Sequence, residues 1–309
     1  MTRATAVRRG GTRQLATARE RCMSRPETSS TAEAASRFRA LQAMHLDPPA
    51  FDDRWAVHLL PADERDALCG EAGRVELDAR RATFPISGVG IGSLRVAEDE
   101  VLAAVGDGID QYVILGAGFD TFAPRHPELV GRVQVFEVDH PDVQALKRAR
   151  LATAPEVALV AHYVPVDFEV TRLGAQLLAT PYDPGRPAIV SWLNTLPYLT
   201  ASAIAATLAE LRAVLAPRSA LVCNYACTDV PVTEEQQSVM RAVGASVAAR
   251  GEPFRSRFRP DHFVALLAEH SFVVTRHLTE HDLNERYFAG RVDGFQAGVP
   301  ARIVRAERA

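Results

Sequence analysis

The chain has little of what marks a secreted, membrane-bound or metal-dependent protein. Its 309 residues include four cysteines, Cys22, Cys69, Cys223 and Cys227, too few and too scattered for a disulfide framework, so they read as reduced thiols. No apolar run approaches the roughly 18 residues of a membrane helix. Arg8-Arg9 lacks the apolar stretch that a twin-arginine export signal needs, and the expected location is the cytoplasm. The nine histidines show no metal-ligand spacing. Neither sign of charge dominates: with a net charge of -3 the chain has no general attraction for nucleic acid or an anionic membrane, and neither is an expected partner. There is no internal repeat and no low-complexity segment.

Apolar residues make up 47% of the chain, enough at this length to bury a full core. The first 25 residues stand apart, with seven arginines against Glu20 alone. So basic and apolar-poor a segment cannot offset the entropy of ordering, and a disordered tail is expected over residues 1–30. Met23 is an alternative start. From Thr31 the pattern turns helical, with Phe38, Leu41 and Met44 on one side. Pro48-Pro49 ends that helix, residues 53–60 read as a second short one, and residues 86–93, with Gly88, Gly90 and Gly92, read as a flexible glycine loop before a helix over 94–105.

Further on, strands alternate with helices. Apolar runs at 111–115, 133–136, 163–166, 188–193, 220–225 and 272–277 read as strands, and residues 302–305 as a possible seventh at the sheet edge. Thr200 caps a helix carrying Ile204, Leu208, Leu211 and Leu215, and Thr233 to Gln236 form a capping box for a long helix to about Arg250, read as a lid. Such alternation predicts a parallel sheet with right-handed crossovers and a ligand beyond the carboxyl ends of its strands.

The most informative stretch is Val113 to Arg125, VILGAGFDTFAPR. A buried strand runs into Gly116-Ala117-Gly118, where the lack of Cβ atoms permits a sharp turn and a close ligand approach to the amides. About 20 residues past the turn, Glu137 ends the second apolar run, where an open α/β sheet places the acid that bonds a ribose. The spacing points to an adenosyl ligand. A dinucleotide fingerprint would need glycine where Thr121 stands, and there is no Tyr-x-x-x-Lys pair, so an NAD(P) oxidoreductase is the weaker alternative.

The segments LGAGFDTFAPR (115–125), FEVDHPDVQALKRARL (136–151), VPVDFE (164–169), SWLNTLPYLT (191–200) and LNERYFAGRVDG (283–294) resemble the leucine carboxyl methyltransferase family, and in particular its bacterial O-methyltransferase branch. The resemblance implies an α/β, Rossmann-like class I methyltransferase fold. It would be a mostly parallel seven-stranded sheet flanked by helices, forming a single domain over 31–309 with an N-terminal helical cap (31–95) and a helical lid insertion (228–260). It implies S-adenosyl-L-methionine as cofactor and a small-molecule acceptor, methylated on a hydroxyl or carboxylate; a protein carboxyl end is also open.

Residues carry over one at a time. Gly116, Ala117 and Gly118 would pass beside the methionine part of the ligand, Glu137 would take the ribose hydroxyls, and Asp167 with the Phe168 backbone would bond the adenine edge. Arg95 and Arg39 would hold the ligand carboxylate, and Tyr198 would face the transferred methyl. The chain departs from the pattern at Ser93, often arginine, and at Leu193, which stands at the ligand where many members carry an acid. These departures keep a second reading open, a protein that binds S-adenosylmethionine without methylating while its cap binds or rearranges a ligand.

Overall fold

A computed structural model describes residues 30–228 and 230–309; the expected tail, with Cys22 and Met23, lies outside the described residues. Its centre is a seven-stranded sheet in the order β3-β2-β1-β4-β5-β7-β6, with β1 Gln111–Leu115, β2 Gln134–Asp139, β3 His162–Pro165, β4 Ile189–Trp192, β5 Ala220–Ala226, β6 Phe272–Thr279 and β7 Ala301–Arg308. The first five are parallel, and β7 runs antiparallel to both its neighbours. The mostly parallel class I architecture is therefore present.

The position of β7 corrects the expectation. It lies inside the sheet between β5 and β6, and the edges are β3 and β6. The short run 302–305 suggested an edge strand, but Ala301, Ile303, Val304 and Ala306 are all buried, as an interior strand with two covered faces requires.

The α-helices among the described residues are labelled in chain order: α1 Ser30–His45, α2 Ala62–Cys69, α3 Glu71–Ala79, α4 Phe84–Gly106, α5 Phe122–Arg125, α6 Pro141–Leu151, α7 Leu173–Leu178, α8 Ala201–Val214, α9 Glu234–Ala248, α10 Pro260–Glu269 and α11 Glu280–Leu283. On one sheet face, Val113, Phe136, Val190 and Leu221 pack with Leu177 of α7, Leu208 and Leu211 of α8 and Phe263 of α10. On the other, Tyr112, Ile114 and Val135 pack with Val101 and Ala104 of α4 and Phe122 of α5. Strands buried on both faces are why these segments read as continuous apolar runs. Thr200 caps α8 by accepting the Ala203 amide (3.2 Å), and Thr233 and Gln236 close the capping box of α9.

The amino-terminal third departs most from expectation. No flexible glycine loop precedes α4: residues 84–106 are one helix. Its glycines serve packing. A Cβ on Gly88 would lie 2.1 Å from the Gln296 carbonyl oxygen, and one on Gly92 2.7 Å from Leu283. Glycine costs a helix about 1 kcal/mol per residue relative to alanine, and here close approach to the 283–297 segment offsets it. Two helices, α2 and α3, occupy 62–79 where no element was expected. They are anchored less by apolar periodicity than by charge: Arg37 of α1 is paired with Glu64 of α2 and with Glu76 of α3, the latter at 2.7 Å.

Candidate functional site

The strand order reverses between β1 and β4: β1 is flanked by β2 on one side and β4 on the other. Helices leaving these strands pass to opposite faces, which opens a crevice at their carboxyl ends. A cavity of about 750 Å³ occupies that position, within the size range of small-molecule and cofactor sites. Its floor is the turn after β1, with Phe168 and Leu193 at neighbouring strand ends. Its walls come from α1, α4, α9 and the segment 250–257.

The turn is held by β2. Gly116 (φ 64°) and Gly118 (φ 50°) adopt left-handed backbone, accessible to glycine at no steric cost. A Cβ on Gly116 would also lie 2.2 Å from Thr195 Oγ1. The amides of Gly116 and Ala117 donate to the Val138 carbonyl (2.8 and 3.1 Å), and the Gly118 amide donates to Asp139 Oδ2 (2.5 Å). The three amides expected to face the ligand are thus already bonded; the turn offers a cradle for close approach rather than an anion site.

Asp139 is the acid at this cradle, and the sequence reading passed over it. Glu137 and Asp139 lie on the same face of β2, two residues apart, but only Asp139 lines the cavity. It accepts amide hydrogens from Gly118 and from His140 (2.6 Å), while burial holds its carboxyl above the ordinary value in spite of them. Glu137 lies one step deeper, in register with Ile114, 2% exposed and 2.5 Å from Lys147 Nζ. Burial raises its carboxyl to about 6 even with Lys147 beside it. It faces a separate cavity of about 340 Å³ with Lys147 and Tyr163. The available signal was the period of two in Glu137-Val138-Asp139: the last acid before the helix is the one at the carboxyl end of the strand.

The remaining expected residues divide. Arg39 is buried in the cavity wall, its Nε donating to Asp53 Oδ2 (2.7 Å) and its Nη2 to the Phe119 carbonyl. Arg95 is not a wall residue. It donates to the carbonyls of Ala50 (3.0 Å) and Tyr287 (3.4 Å), and its guanidinium sits 4.4 Å from the Tyr287 ring centroid. Its spacing on α4 turns it from the cavity, whereas Leu94, Ala97 and Glu98 line it. Asp167 caps the turn after β3, accepting the Glu169 amide (2.9 Å), and only its neighbour Phe168, stacked on Trp192 at 6.0 Å, lines the cavity. Tyr198 does line it, 5.3 Å from the Phe254 ring, and burial pushes its phenol up to about 12.

Ser93 and the end of β4 form a neutral network. Asn224 donates from Nδ2 to Ser93 Oγ (3.1 Å) and Asn194 Oδ1 (2.9 Å), and its Oδ1 accepts the Asn194 amide (2.6 Å). Beside it runs a charged one: Glu98 is paired with Arg125 (2.5 Å) and lies 3.3 Å from His126. Burial opposes ionisation of Glu98, but hydrogen bonds from His126 and Arg125 outweigh it and bring the carboxyl down to about 2.

The family model for leucine carboxyl methyltransferase matches residues 30–212. The chain belongs to the leucine carboxyl methyltransferase family. Among its relatives, the Bacillus subtilis (strain 168) protein named "Putative S-adenosyl-L-methionine-dependent methyltransferase YktD" is 35% identical over 191 residues, which cover 62% of each chain. A Mycolicibacterium smegmatis protein of the same designation is 29% identical over 244 residues, 75% of each chain. A Mycolicibacterium gilvum relative is 35% identical over 178 residues, 53% of its length. Solved structures that resemble the chain include magnesium protoporphyrin IX methyltransferase from Synechocystis PCC 6803 with bound SAH (TM-score 0.45, 12% identity, covering 79% of this chain and 97% of that one). Another is the Thermobifida fusca YX protein described as "a putative methyltransferase" (TM-score 0.49, 21% identity, covering 77% of this chain and 89% of that one). No helix among the described residues is long and apolar enough to cross a membrane.

Proposed function

We propose that this protein is an S-adenosylmethionine-dependent O-methyltransferase acting on the hydroxyl or carboxylate of a small, largely apolar acceptor, a secondary metabolite, in the cytoplasm. The observation that carries the reading is the Gly116–Gly118 turn: its amides are consumed by β2, its carboxylate neighbour is Asp139, and it opens directly into the apolar cavity. A dinucleotide site presents those amides to a pyrophosphate, so the geometry favours an adenosyl ligand without phosphates. A second feature fits the same ligand: Thr31 Oγ1, in the cavity wall, is buried and has no hydrogen-bond partner among the described residues.

Bound there, S-adenosylmethionine supplies a methyl group on a sulfonium, which an acceptor oxygen takes by in-line displacement. The residues of the chain then have to align and enclose. Asp139 is placed to accept from ribose hydroxyls, Phe168 offers a flat apolar surface for the adenine ring, and Arg39 holds the carboxylate side of the pocket. Tyr198 and Phe254 cover the end where the acceptor enters. Keeping its high-pKa phenol protonated, Tyr198 orients the acceptor and does not act as a base. The helices of the amino-terminal third act as the cap, and α9 with the segment after it as the lid, excluding water from the transfer.

Calorimetric titration with S-adenosylhomocysteine and with NAD tests this. Micromolar binding of S-adenosylhomocysteine, weakened about tenfold or more in Asp139→Asn by loss of a charge-assisted hydrogen bond, is expected. Binding of NAD in its place would overturn the reading. Ligand binding with no methyl transfer to any acceptor in a screen would favour the non-methylating alternative.

A further inference from the structure

The segment after α9 carries into the cavity charged side chains that hold no hydrogen bond or ion pair among the described residues. It is strapped to the turn before Tyr198: the Arg255 amide donates to the Pro197 carbonyl (2.6 Å), and Ser256 Oγ donates to the Leu196 carbonyl (2.7 Å). Its far end is tied to β5 through the Phe258 amide and the Ala226 carbonyl (3.0 Å). The strap is thus fixed, and Arg250, Glu252, Phe254 and Arg257 line the cavity along it.

Five arginines line the cavity among the described residues. Arg39, Arg80 and Arg125 are paired with Asp53, Glu76 and Glu98. The Arg250 and Arg257 guanidinium groups have no hydrogen-bonded partner and no carboxylate within 4.0 Å among the described residues. The acids divide in the same way. Glu98, Asp120 and Asp139 bond Arg125, the Phe122 amide and the Gly118 and His140 amides. Glu252 alone of the cavity-lining carboxylates has no side-chain hydrogen bond or ion pair among the described residues. Half-buried beside Tyr198 and Arg250, Glu252 is pushed up to about 7 by burial, which the arginine only partly opposes. The exposed rim is left net positive, with a proton acceptor further in.

We propose that the acceptor is an amphipathic hydroxy acid, with its anionic group on Arg250 and Arg257, its apolar body against Met240, Val247 and Phe254, and the hydroxyl to be methylated beside Glu252. This rests on the methyltransferase reading above. Guanidinium groups match a carboxylate in shape and charge, and two left without protein partners are free to take one. The inner carboxylate argues for a hydroxyl at the reacting end: an ionised acid there would be repelled by Glu252 and needs no base. The step balances. As the acceptor oxygen bonds the methyl carbon, its proton passes to the Glu252 carboxylate and the carbon–sulfur bond breaks with its electron pair left on sulfur. The products are the methyl ether and S-adenosylhomocysteine, and Glu252 returns its proton to water.

The test uses the full chain saturated with S-adenosylhomocysteine and two matched pairs of probes: 6-hydroxy-2-naphthoate with its carboxamide, and 12-hydroxydodecanoate with its carboxamide. At least one acid should bind about tenfold more tightly than its amide, the size of a charge-assisted hydrogen bond. In Arg250→Ser/Arg257→Ser that preference should shrink to about twofold or less while S-adenosylhomocysteine affinity stays unchanged. If neither pair shows a preference, or if the preference survives in the double variant, the proposal falls but the methyltransferase reading stands. Failure of the wild type to bind S-adenosylhomocysteine overturns both. For the preferred acid, Glu252→Gln should lower kcat with S-adenosylmethionine about 100-fold at unchanged Kd; unchanged kcat would overturn the hydroxyl assignment.

Discussion

At the strand ends, the amides of Gly116, Ala117 and Gly118 all reach acceptors on β2 within 3.1 Å, and the acids nearby each hold a partner. Along the strap, the side chains of Arg250, Glu252 and Arg257 face the same cavity with no hydrogen bond or ion pair among the described residues. On the proposed function, the cofactor end is preorganised by backbone geometry that any adenosyl ligand meets unchanged. The proposed acceptor end keeps its side chains uncommitted, so its selectivity would be set by what the acceptor brings. A fold can therefore hold its cofactor half constant and vary its substrate through a few side chains on one segment.

Three perturbations sharpen this contrast. Lys147→Met strands Glu137 as an unpaired buried charge and should cost about 3–5 kcal/mol in urea unfolding. Because Glu137 does not line the large cavity, affinity for S-adenosylhomocysteine should change less than about twofold. Loss of affinity without loss of stability would return the ribose role to Glu137. Gly116→Ala forces a side chain into left-handed backbone against Thr195 and should cost about 1–3 kcal/mol, with a matching loss of cofactor affinity. Gly90→Ala, whose Cβ would meet Asn194 at an ordinary 3.7 Å, should gain up to about 1 kcal/mol from helix propensity and leave cofactor affinity intact. If both glycines behave alike, the preorganised half is not where the geometry puts it.

The smallest effect concerns acid. The Glu98 carboxyl is depressed in the folded protein to about 2, so its stabilisation is complete above its unfolded value and fades as pH falls toward the folded one. Acidification from roughly pH 5 to 3.5 should remove about 1 kcal/mol through this group. Thermal unfolding of Glu98→Gln should show a correspondingly shallower decline over that interval.

How much of this was legible in the sequence follows the same division. The strand–turn–strand of β1 and β2 announces itself because apolar runs, glycines and capping residues act locally, and the sheet followed from their alternation. Arg95 and the glycines Gly88 and Gly92 of α4 misled because their surroundings are distant in sequence, Ala50 and Tyr287 for the arginine and the 283–297 segment for the glycines, whose approach no local pattern records. The choice between Glu137 and Asp139 turned on two residues of strand length, since β2 runs on to Asp139, and boundaries are where such readings are least certain. The strap falls within the expected lid, 228–260, but the role proposed for it was not legible, since it lies in side chains that hold no hydrogen bond or ion pair among the described residues.

The interior position of β7 also governs the order of assembly. β6 precedes β7 in the chain yet pairs only with it, so β6 has no place in the sheet until β7 arrives. β7 in turn joins Leu221 to Ala306 across 85 positions of sequence, one of the slow, entropically costly closures of this topology. The five parallel strands, with the Gly116–Gly118 turn, pair among themselves without that closure. In time as in space, the half proposed to hold the cofactor can come first, and the last hairpin docks onto a sheet already built.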